Sequence, residues 1–287
     1  MPIALITGAN SGMGLATAKD LASKGYHLIL ACRSLSSAQQ TCTIIGHNAK
    51  PLELNLSSLS SCRNACNYLI SNVKTIDILI ANAGVMAPPH QFTEDGFELQ
   101  FQTHYLANQL ILTLLKPVLI KSQARIIQIS SLSAEKSPAL TYSDITHQAK
   151  IDADNYNAMQ SYRMSKLGQV LLAQEFQRQL ANTGALSFSV HPGIVNTNLF
   201  YRKSSPLFKY LMTPLVWLGY ASGRLLTPLQ GAQTAIWLTV SDINEISPLA
   251  GKYLADKKAR YCHTLCKQNT HAESLWKYYE SLLSKYV

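Results

Sequence analysis

The sequence predicts an α/β protein with a single domain: a doubly wound parallel sheet of about seven strands with helices on both faces. Short apolar runs alternate with longer segments of helical periodicity along all 287 residues. The short runs are apolar at nearly every position, which is typical of strands that are buried on both faces of a parallel sheet. No repeat, low-complexity stretch or Pro/Ser-rich linker divides the chain, so the alternation indicates one domain.

Seven apolar runs are the predicted strands. They are Ile3–Thr7, His27–Ala31, Lys50–Leu54, Ile76–Ala81, Ala124–Ser130, Leu186–His191 and Lys252–Leu254. The helical segments between them lie near residues 12–25, 58–72, 95–121, 161–182, 229–241 and 271–285. Because helices separate the strands, the strands are expected to run parallel.

Residues 200–228 interrupt this alternation, since Pro206 and Pro214 would break any long helix there. We interpret the segment as a lid-like insertion that covers a substrate, because long connections of this kind often carry function. Packing of its apolar side chains against a final helix is an equally weighted alternative. Those side chains are Phe208, Tyr210, Leu211, Met212, Leu215, Trp217 and Leu218.

Composition and charge exclude several classes of protein. The chain is 47% hydrophobic with a mean hydropathy near zero, which excludes a disordered or fibrous protein. The net charge is +9, and residues 200–287 hold 11 of the 25 Lys and Arg residues but only 5 of the 16 acids. The basic residues form no continuous run, so we interpret them as a solvated face and expect no nucleic-acid partner.

The distribution of apolar residues predicts a cytoplasmic protein. No run of 18 apolar residues exists, so no membrane span is expected. The first apolar segment, Ile3 to Ile6, is too short for the core of a signal peptide and lacks a basic leader. Association with a membrane surface through the basic and aromatic segment 200–228 is the weaker alternative.

Six cysteines are too few for a disulfide framework in a chain of 287 residues. They are Cys32, Cys42, Cys62, Cys66, Cys262 and Cys266. The last two lie four residues apart with His263 and His271 nearby, which raises the alternative of a metal site. Cys62 and Cys66 are also four residues apart. Neither this pair nor Cys262 and Cys266 is accompanied by a second pair of ligands at the spacing of a zinc site, so we expect free thiols and no metal.

A glycine-rich turn follows the first predicted strand and opens the first helix. The turn reads Thr7-Gly8-Ala9-Asn10-Ser11-Gly12-Met13-Gly14. Gly8 permits a tight turn, while Gly12 and Gly14 allow a pyrophosphate to approach the helix N-terminus. Strand, glycines and helix in this order predict dinucleotide binding.

The end of the second strand indicates which dinucleotide is bound. An NAD site requires an acidic residue about 20 positions after the glycines, to hold the ribose 2′-hydroxyl. No acid lies between Asp20 and Glu53, and the second strand ends instead at Arg33. Since a guanidinium pairs with a 2′-phosphate through two hydrogen bonds, the sequence predicts NADP(H).

Tyr162 and Lys166 are the candidate catalytic pair. A spacing of four residues places both on one face of a helix, where the ammonium is expected to lower the pKa of the phenol. Ser131 follows a buried strand, whose carboxyl end would face the ligand crevice of a parallel sheet. We therefore predict that Tyr162 transfers a proton and that Ser131 contacts a substrate carbonyl.

Taken together, these motifs resemble the short-chain dehydrogenase/reductase family, and most of all its retinol dehydrogenase-like branch. The resemblance spans nearly the whole chain and implies the Rossmann-type fold of that family. Its further motifs are Asn82-Ala83-Gly84 beside the cofactor, His191-Pro192-Gly193-Ile194-Val195-Asn196-Thr197 at the carboxamide, Gln230-Gly231-Ala232-Gln233-Thr234 and Gly251-Lys252-Tyr253. It implies Tyr162 as proton donor or acceptor, Lys166 as its pKa tuner and ribose anchor, and Ser131 as carbonyl positioner. Pro192, Gly193, Val195 and Thr197 are implied contacts of the cofactor.

Two positions depart from the family's pattern. His104 stands where the family has a fourth catalytic residue, Asn, and Ala107 replaces a glycine. A histidine at this position is expected to join the proton relay and to titrate near neutral pH. Asn55, followed by Leu56, replaces an aspartate near the adenine. Asn55 is expected to keep the acceptor oxygen for the adenine amino group.

The sequence therefore predicts an NADP(H)-dependent oxidoreductase that interconverts an apolar carbonyl and its alcohol. An NADP(H)-binding sensor or scaffold without strong activity is the alternative, because His104 departs from the family. The intact Ser131, Tyr162 and Lys166 favour the enzyme, since a sensor has no need of a tuned phenol. A homodimer is compatible with the sequence.

Overall fold

The computed structural model describes residues 1–136, 142–195 and 225–287. Within these ranges the strands are β1 (Ile3–Thr7), β2 (His27–Cys32), β3 (Ala49–Glu53), β4 (Ile78–Ala81), β5 (Arg125–Ile129), β6 (Leu186–Val190), β7 (Tyr253–Ala255) and β8 (Lys258–Ala259). They form one sheet in the order β3-β2-β1-β4-β5-β6-β7-β8. The pairs from β3 to β7 are parallel, and β8 runs antiparallel to β7.

Helices cover both faces of this sheet. They are α1 (Gly12–Ser23), α2 (Leu35–Ile45), α3 (Leu59–Asn72), α4 (Leu99–Phe101), α5 (Ala107–Lys121), α6 (Tyr142–His147), α7 (Ala158–Gln179), α8 (Pro228–Val240), α9 (Ile243–Ile246) and α10 (Asn269–Leu283). A π-helical turn, Gln102–Leu106, joins α4 to α5.

Two apolar cores lie on opposite faces of the sheet. In β1, Leu5 packs into the core that contains α3, α5, α7 and α10. Its neighbours Ala4 and Ile6 pack into the core that contains α1, α2, α8 and α9. Because successive strand residues point to opposite faces, burial of both faces requires apolar residues at nearly every strand position. This requirement is the origin of the continuous apolar runs in the sequence.

The predicted α/β fold with a parallel sheet is confirmed, and all seven predicted strands are present within two residues of their expected ends. The prediction missed α2, because its sequence buries few residues, among them Ala38 and Thr41. It also missed β8, a strand of two exposed residues. Asp256 and Lys257 form the turn before β8 in left-handed conformations, with φ of 50° and 61°. Such a short edge strand has no periodicity to detect.

The predicted lid lies outside the described residues, except for its last part, residues 225–228. The two ends that border it are held together, since the Leu226 amide donates to the Ile194 carbonyl over 2.8 Å. No helix in the described ranges is long and apolar enough to cross a membrane. All six cysteines are free thiols, and four of them are buried.

Candidate active site

The predicted site residues follow the carboxyl ends of neighbouring strands. Gly8 follows β1, Asn82 follows β4, Ser131 lies just beyond β5 and Pro192 just beyond β6. These four strands are adjacent and parallel, in the order β1-β4-β5-β6. Because parallel strands end at the same edge of a sheet, the structure brings the residues to one crevice.

The glycine-rich turn is packed too closely for side chains at two of its positions. Gly8 has a φ of +64°, and a Cβ there would lie 2.9 Å from the Ala83 Cα. A Cβ on Gly14 would lie 2.3 Å from the Gly8 carbonyl oxygen and 2.6 Å from the Asn82 amide nitrogen. The Asn82 side chain also donates to the Thr7 carbonyl over 2.9 Å. The loop after β4 thus holds the glycine turn directly against the start of α1.

The N-terminus of α1 has the chemistry of an anion site. Ser11 precedes α1 in extended conformation, but its hydroxyl accepts no amide of the first turn. On α2 and α3, by contrast, Ser34 and Ser58 each cap the helix by accepting an amide three residues on. The first-turn amides of α1 and the positive end of its dipole therefore fit a phosphate group. Asn10 and Ser11 are exposed beside them.

The ends of β2 and β3 adjoin this turn, since the Gly8 amide donates to the Ala31 carbonyl and the Leu54 amide to the Cys32 carbonyl. Arg33 is exposed there, and no ion pair of the described residues involves it.

The side chain of Asn55 differs from the expectation that its oxygen is kept for the adenine amino group. Its side-chain oxygen already accepts from the Ser57 amide over 3.2 Å and from the Ser57 hydroxyl over 2.7 Å. An adenine amino group would have to share this oxygen; the neighbouring Leu56 is buried.

Tyr162 and Ser131 face each other across the crevice. Burial raises the pKa of Tyr162, and a hydrogen bond with the Ser131 side chain opposes that rise. The Ser131 hydroxyl also accepts the Ser133 amide over 3.1 Å, which fixes its orientation. The net effect is a raised pKa of Tyr162, because burial of the ring outweighs the hydrogen bond with Ser131. That Lys166 lowers this pKa stays a prediction.

Lys166 is buried on the same face of α7. Its ammonium donates to the Ile129 carbonyl over 2.9 Å and to the Gln169 side-chain oxygen over 2.8 Å. The nitrogen lies 5.8 Å from the centre of the Tyr162 ring. Burial lowers the pKa of Lys166 to about 7, so the group is partly neutral at physiological pH.

His104 lies in the middle of the π-helical turn and has no exposed surface. Its two ring nitrogens are both engaged: Nε2 with the Val85 amide over 3.1 Å and Nδ1 with the Ser165 hydroxyl over 2.8 Å. Burial, and after it the charge of Lys166, lowers the pKa of His104 well below its usual value. The prediction that His104 titrates near neutral pH is therefore wrong, because nothing solvates the imidazolium.

The loop after β6 lies at the same edge of the sheet, next to the end of β5. The Gly193 amide donates to His191 Nδ1 over 3.0 Å, and Val195 is buried. A Cβ on Gly231 of α8 would lie 3.0 Å from the Met13 sulfur and 3.3 Å from the Pro192 carbonyl oxygen. The loop therefore lies beside the start of α1. Thr197 falls outside the described residues.

Sequence reasoning assigned no role in the site to four contributors: Val85, Ser165, Gln169 and Tyr253. Gln169 was detectable in principle, because its spacing of three residues from Lys166 places it on the same helix face. The Tyr253 hydroxyl shares its proton between the Ser131 carbonyl at 3.2 Å and Glu135 at 2.9 Å, across 122 and 118 residues of sequence. No local pattern indicates such long-range contacts.

Comparison with known proteins identifies the family of the chain. The family model described as short chain dehydrogenase matches residues 2–143. Human retinol dehydrogenase 13 is 34% identical over 281 residues, which cover 95% of this chain and 81% of that protein. Human retinol dehydrogenase 12 is 32% identical over 285 residues, covering 96% and 84%.

A solved structure has a similar fold. The 3-ketoacyl-(acyl-carrier-protein) reductase of Brucella melitensis, crystallised with NADH, superposes with a TM-score of 0.66 at 21% identity. The match covers 89% of this chain and 96% of that one. The glycine turn, the tyrosine–lysine helix and these similarities agree, and the chain belongs to the short-chain dehydrogenase family, on the branch that contains the retinol dehydrogenases.

Proposed function

We propose that this oxidoreductase uses NADP(H) to interconvert an apolar carbonyl compound and its alcohol, with Tyr162 as the acid/base. One observation carries the proposal: the Tyr162 hydroxyl lies against Ser131, one helical turn from Lys166, at the sheet edge that also holds the glycine turn. A proton-transfer group beside a dinucleotide cradle is the arrangement that carbonyl reduction requires.

The cofactor would lie across the carboxyl edge of the sheet, where it supplies the hydride donor or acceptor at the nicotinamide. The uncapped N-terminus of α1 supports binding of its pyrophosphate. Arg33 is exposed and forms no ion pair among the described residues. Its free guanidinium supports the proposal that a 2′-phosphate binds there and hence that the cofactor is NADP(H). The residues we assign to cofactor binding are Gly8, Asn10, Ser11, Gly12, Met13, Gly14, Arg33, Asn55, Leu56, Asn82, Ala83, Gly84, Tyr162, Lys166, Pro192, Gly193, Val195 and Thr197.

Tyr162 and Ser131 would handle the substrate's oxygen. In reduction, the phenol gives its proton to the oxygen of the carbonyl while the carbon receives hydride; in oxidation, it takes the proton of the hydroxyl. The Ser131 hydroxyl donates a second hydrogen bond to the same oxygen and orients it. Because burial raises the pKa of Tyr162, the phenol is kept in its protonated form, which suits proton donation to a carbonyl.

Lys166 would restore the phenol's proton. Its pKa of about 7 lets the amine both hold and release a proton near neutral pH. Two fixed acceptors, the Ile129 carbonyl and the Gln169 side chain, direct the nitrogen. In its protonated form the nitrogen has one further hydrogen, which is available for the cofactor's ribose.

The substrate class follows from the relatives and from composition. The named relatives are retinol dehydrogenases, and retinol is a largely apolar alcohol. Apolar side chains dominate segment 200–228, and Leu226 near its end is hydrogen-bonded to Ile194 of the Pro192 loop. We therefore propose a retinoid, steroid, lipid aldehyde or aromatic ketone, with segment 200–228 as a cover of its site.

Substitution of Tyr162 tests the function. We expect Tyr162→Phe to remove nearly all NADPH-dependent carbonyl reduction while NADPH affinity stays within a few-fold, since only the transferable proton is lost. Activity is measured as NADPH oxidation against a panel of aldehydes and ketones, and affinity by calorimetry. Tyr278→Phe, on the exposed side of α10, is the control and should change neither. Full activity of Tyr162→Phe would overturn the mechanism, and tight NADPH binding without any turnover would favour the sensor alternative.

A further inference from the structure

We propose that His104 is a positioning residue that, as a neutral imidazole, fixes loop 82–85 against the catalytic face of α7. The chain of contacts runs from the Val85 amide through the His104 ring and the Ser165 hydroxyl to the Tyr162 carbonyl, and we call it the His104 bracket. This proposal rests on the proposed function only for the effect of the bracket on turnover.

The hydrogen bonds of the bracket define one tautomer. The Val85 amide can only donate, so His104 Nε2 must carry a lone pair to accept it over 3.1 Å. The ring proton therefore lies on Nδ1, which donates to the Ser165 hydroxyl over 2.8 Å. That hydroxyl in turn donates to the Tyr162 carbonyl over 2.9 Å. Every donor in the series has an acceptor, and no second tautomer satisfies all three bonds.

Protonation of the ring would break this series. An imidazolium has an N–H at both nitrogens, so its Nε2–H would point at the Val85 N–H. The titratable groups that face the ring are Lys166 and Tyr162, whose ring lies edge-on at 5.8 Å between centroids. Neither is an anion at neutral pH that could stabilise the imidazolium. The bracket therefore stays neutral throughout the working pH range.

Close packing makes the bracket rigid. A Cβ on Gly84 would lie 2.8 Å from His104 Nε2 and 3.6 Å from the Lys166 nitrogen, so the ring and the lysine nitrogen leave no room for a side chain at this position. The π-helical turn brings the ring to this place, and the Asn108 side chain secures the turn by donating to the Thr103 and His104 carbonyls. The ring thus sets the distance between the cofactor loop after β4 and the acid/base pair on α7.

The bracket assigns a role to His104 that differs from proton relay. A relay histidine must gain and lose protons during turnover, whereas the bracket requires that it never does. Loss of the bracket should misplace the cofactor relative to Tyr162, and small misplacements lower the rate strongly. The expected effect is on geometry, with no change in the ionisations that control the rate.

Nuclear magnetic resonance on the intact protein tests the bracket without any turnover. With ¹⁵N-labelled histidine, we expect one ring to show the Nδ1–H tautomer unchanged from pH 5.5 to 8.5. Ser165→Ala, a small change at the edge of the ring, should shift that signal alone. In the same samples, His104→Phe should speed hydrogen exchange of the Val85 amide by at least tenfold, and the exposed control His47→Asn should not. A His104 signal that titrates between pH 6 and 7, or an unaltered Val85 exchange rate, would overturn the proposal.

Enzyme kinetics provide a second test of the bracket. We expect His104→Phe to lower kcat/KM about 10- to 100-fold and Ser165→Ala about 3- to 30-fold, as for buried hydrogen bonds. The double variant should be no worse than His104→Phe, because both changes break one series. His104→Asn should leave the apparent pKa values of the pH–rate profile unchanged. Additive losses would show that His104 and Ser165 act independently, and an ionisation that disappears in His104→Asn would show a relay; either result would overturn the bracket. If the wild-type protein turned over no substrate, the proposed function would fail while the spectroscopic arm still decided the bracket.

Discussion

Lys166 shows at the scale of one residue how burial changes a side chain. Its pKa falls to about 7 in the folded protein, whereas an unfolded chain would keep the proton to about pH 10.4. Between these values the unfolded chain binds more protons than the folded protein. The contribution of Lys166 to the free energy of unfolding must therefore rise with pH across that window and be smallest below pH 7.

Substitution of Lys166 by Met isolates this contribution. We expect the free energy of unfolding of the wild type, minus that of Lys166→Met, to rise by about 1–3 kcal/mol between pH 7 and 9.5. Urea denaturation at several pH values measures it, and tyrosine and cysteine ionisations common to both proteins cancel in the difference. Lys121→Met, at an exposed position of α5, is the control and should give a flat difference. A flat difference for Lys166→Met as well would mean that the folded protein keeps the lysine charged.

Arg33 is the residue on which the choice of cofactor depends. We expect Arg33→Ala to weaken NADPH binding by about 1.5–3 kcal/mol, the usual contribution of a charge-assisted hydrogen bond, and to leave NADH binding nearly unchanged. Calorimetric titration of both cofactors measures the two losses. Arg63→Ala on the exposed side of α3 is a matched control. Equal losses for NADPH and NADH would contradict the assignment of Arg33 to the 2′-phosphate.

At the scale of elements, regular periodicity was predictable and departures from it were not. Buried strands such as β1 and β6 read as continuous apolar runs, so both were located within one residue. The helix predicted over 95–121 contains a π-helical turn, in which the Ala107 amide bonds the Gln102 carbonyl five residues back. Composition does not predict this five-residue hydrogen-bond spacing, since the spacing depends on packing against α7. The position of His104 was thus visible in the sequence, but its burial and pKa were not.

The contact between β1 and α1 gives a prediction at this scale. Gly14→Ala would place a methyl 2.3 Å from the Gly8 carbonyl oxygen, so the start of α1 must move away from the turn. We expect NADPH affinity to fall at least about tenfold and stability by about 1–3 kcal/mol, as for overpacked sites. Calorimetry and urea denaturation measure the two effects.

Gly25→Ala is the matched control for Gly14→Ala. Its φ of +83° costs an alanine about 1 kcal/mol, but nothing lies within 4 Å of the added methyl. Stability should therefore fall slightly while NADPH affinity stays unchanged. A Gly14→Ala protein that binds NADPH normally would show that the close approach of α1 is not needed for the cofactor.

At the scale of the whole molecule, helix packing that stabilises the protein lies far from the residues that carry the proposed chemistry. The chemistry lies at the carboxyl edge of the sheet, whereas α10 packs on α7 and α5 away from it. Trp276 of α10 stacks on Phe176 with ring centroids 5.9 Å apart, and its carbonyl accepts the Gln109 side chain over 2.8 Å. Phe176 lies 14 residues beyond Tyr162 on α7, or about 21 Å along the helix. A cavity at Trp276 should leave the geometry around Tyr162 intact.

Trp276→Ala therefore should destabilise the protein without altering its chemistry. We expect the free energy of unfolding to fall by about 3–5 kcal/mol, because a large buried aromatic side chain is replaced by a cavity. Well below the unfolding transition, kcat and NADPH affinity should stay within about twofold of the wild type, since the lost contacts do not touch the crevice. Tyr278→Ala, on the half-exposed face of the same helix, is the control and should cost less than about 1 kcal/mol. If Trp276→Ala lowered kcat as strongly as it lowered stability, α10 would be coupled to the active site through α7, and the two cores could not be treated as independent of the chemistry.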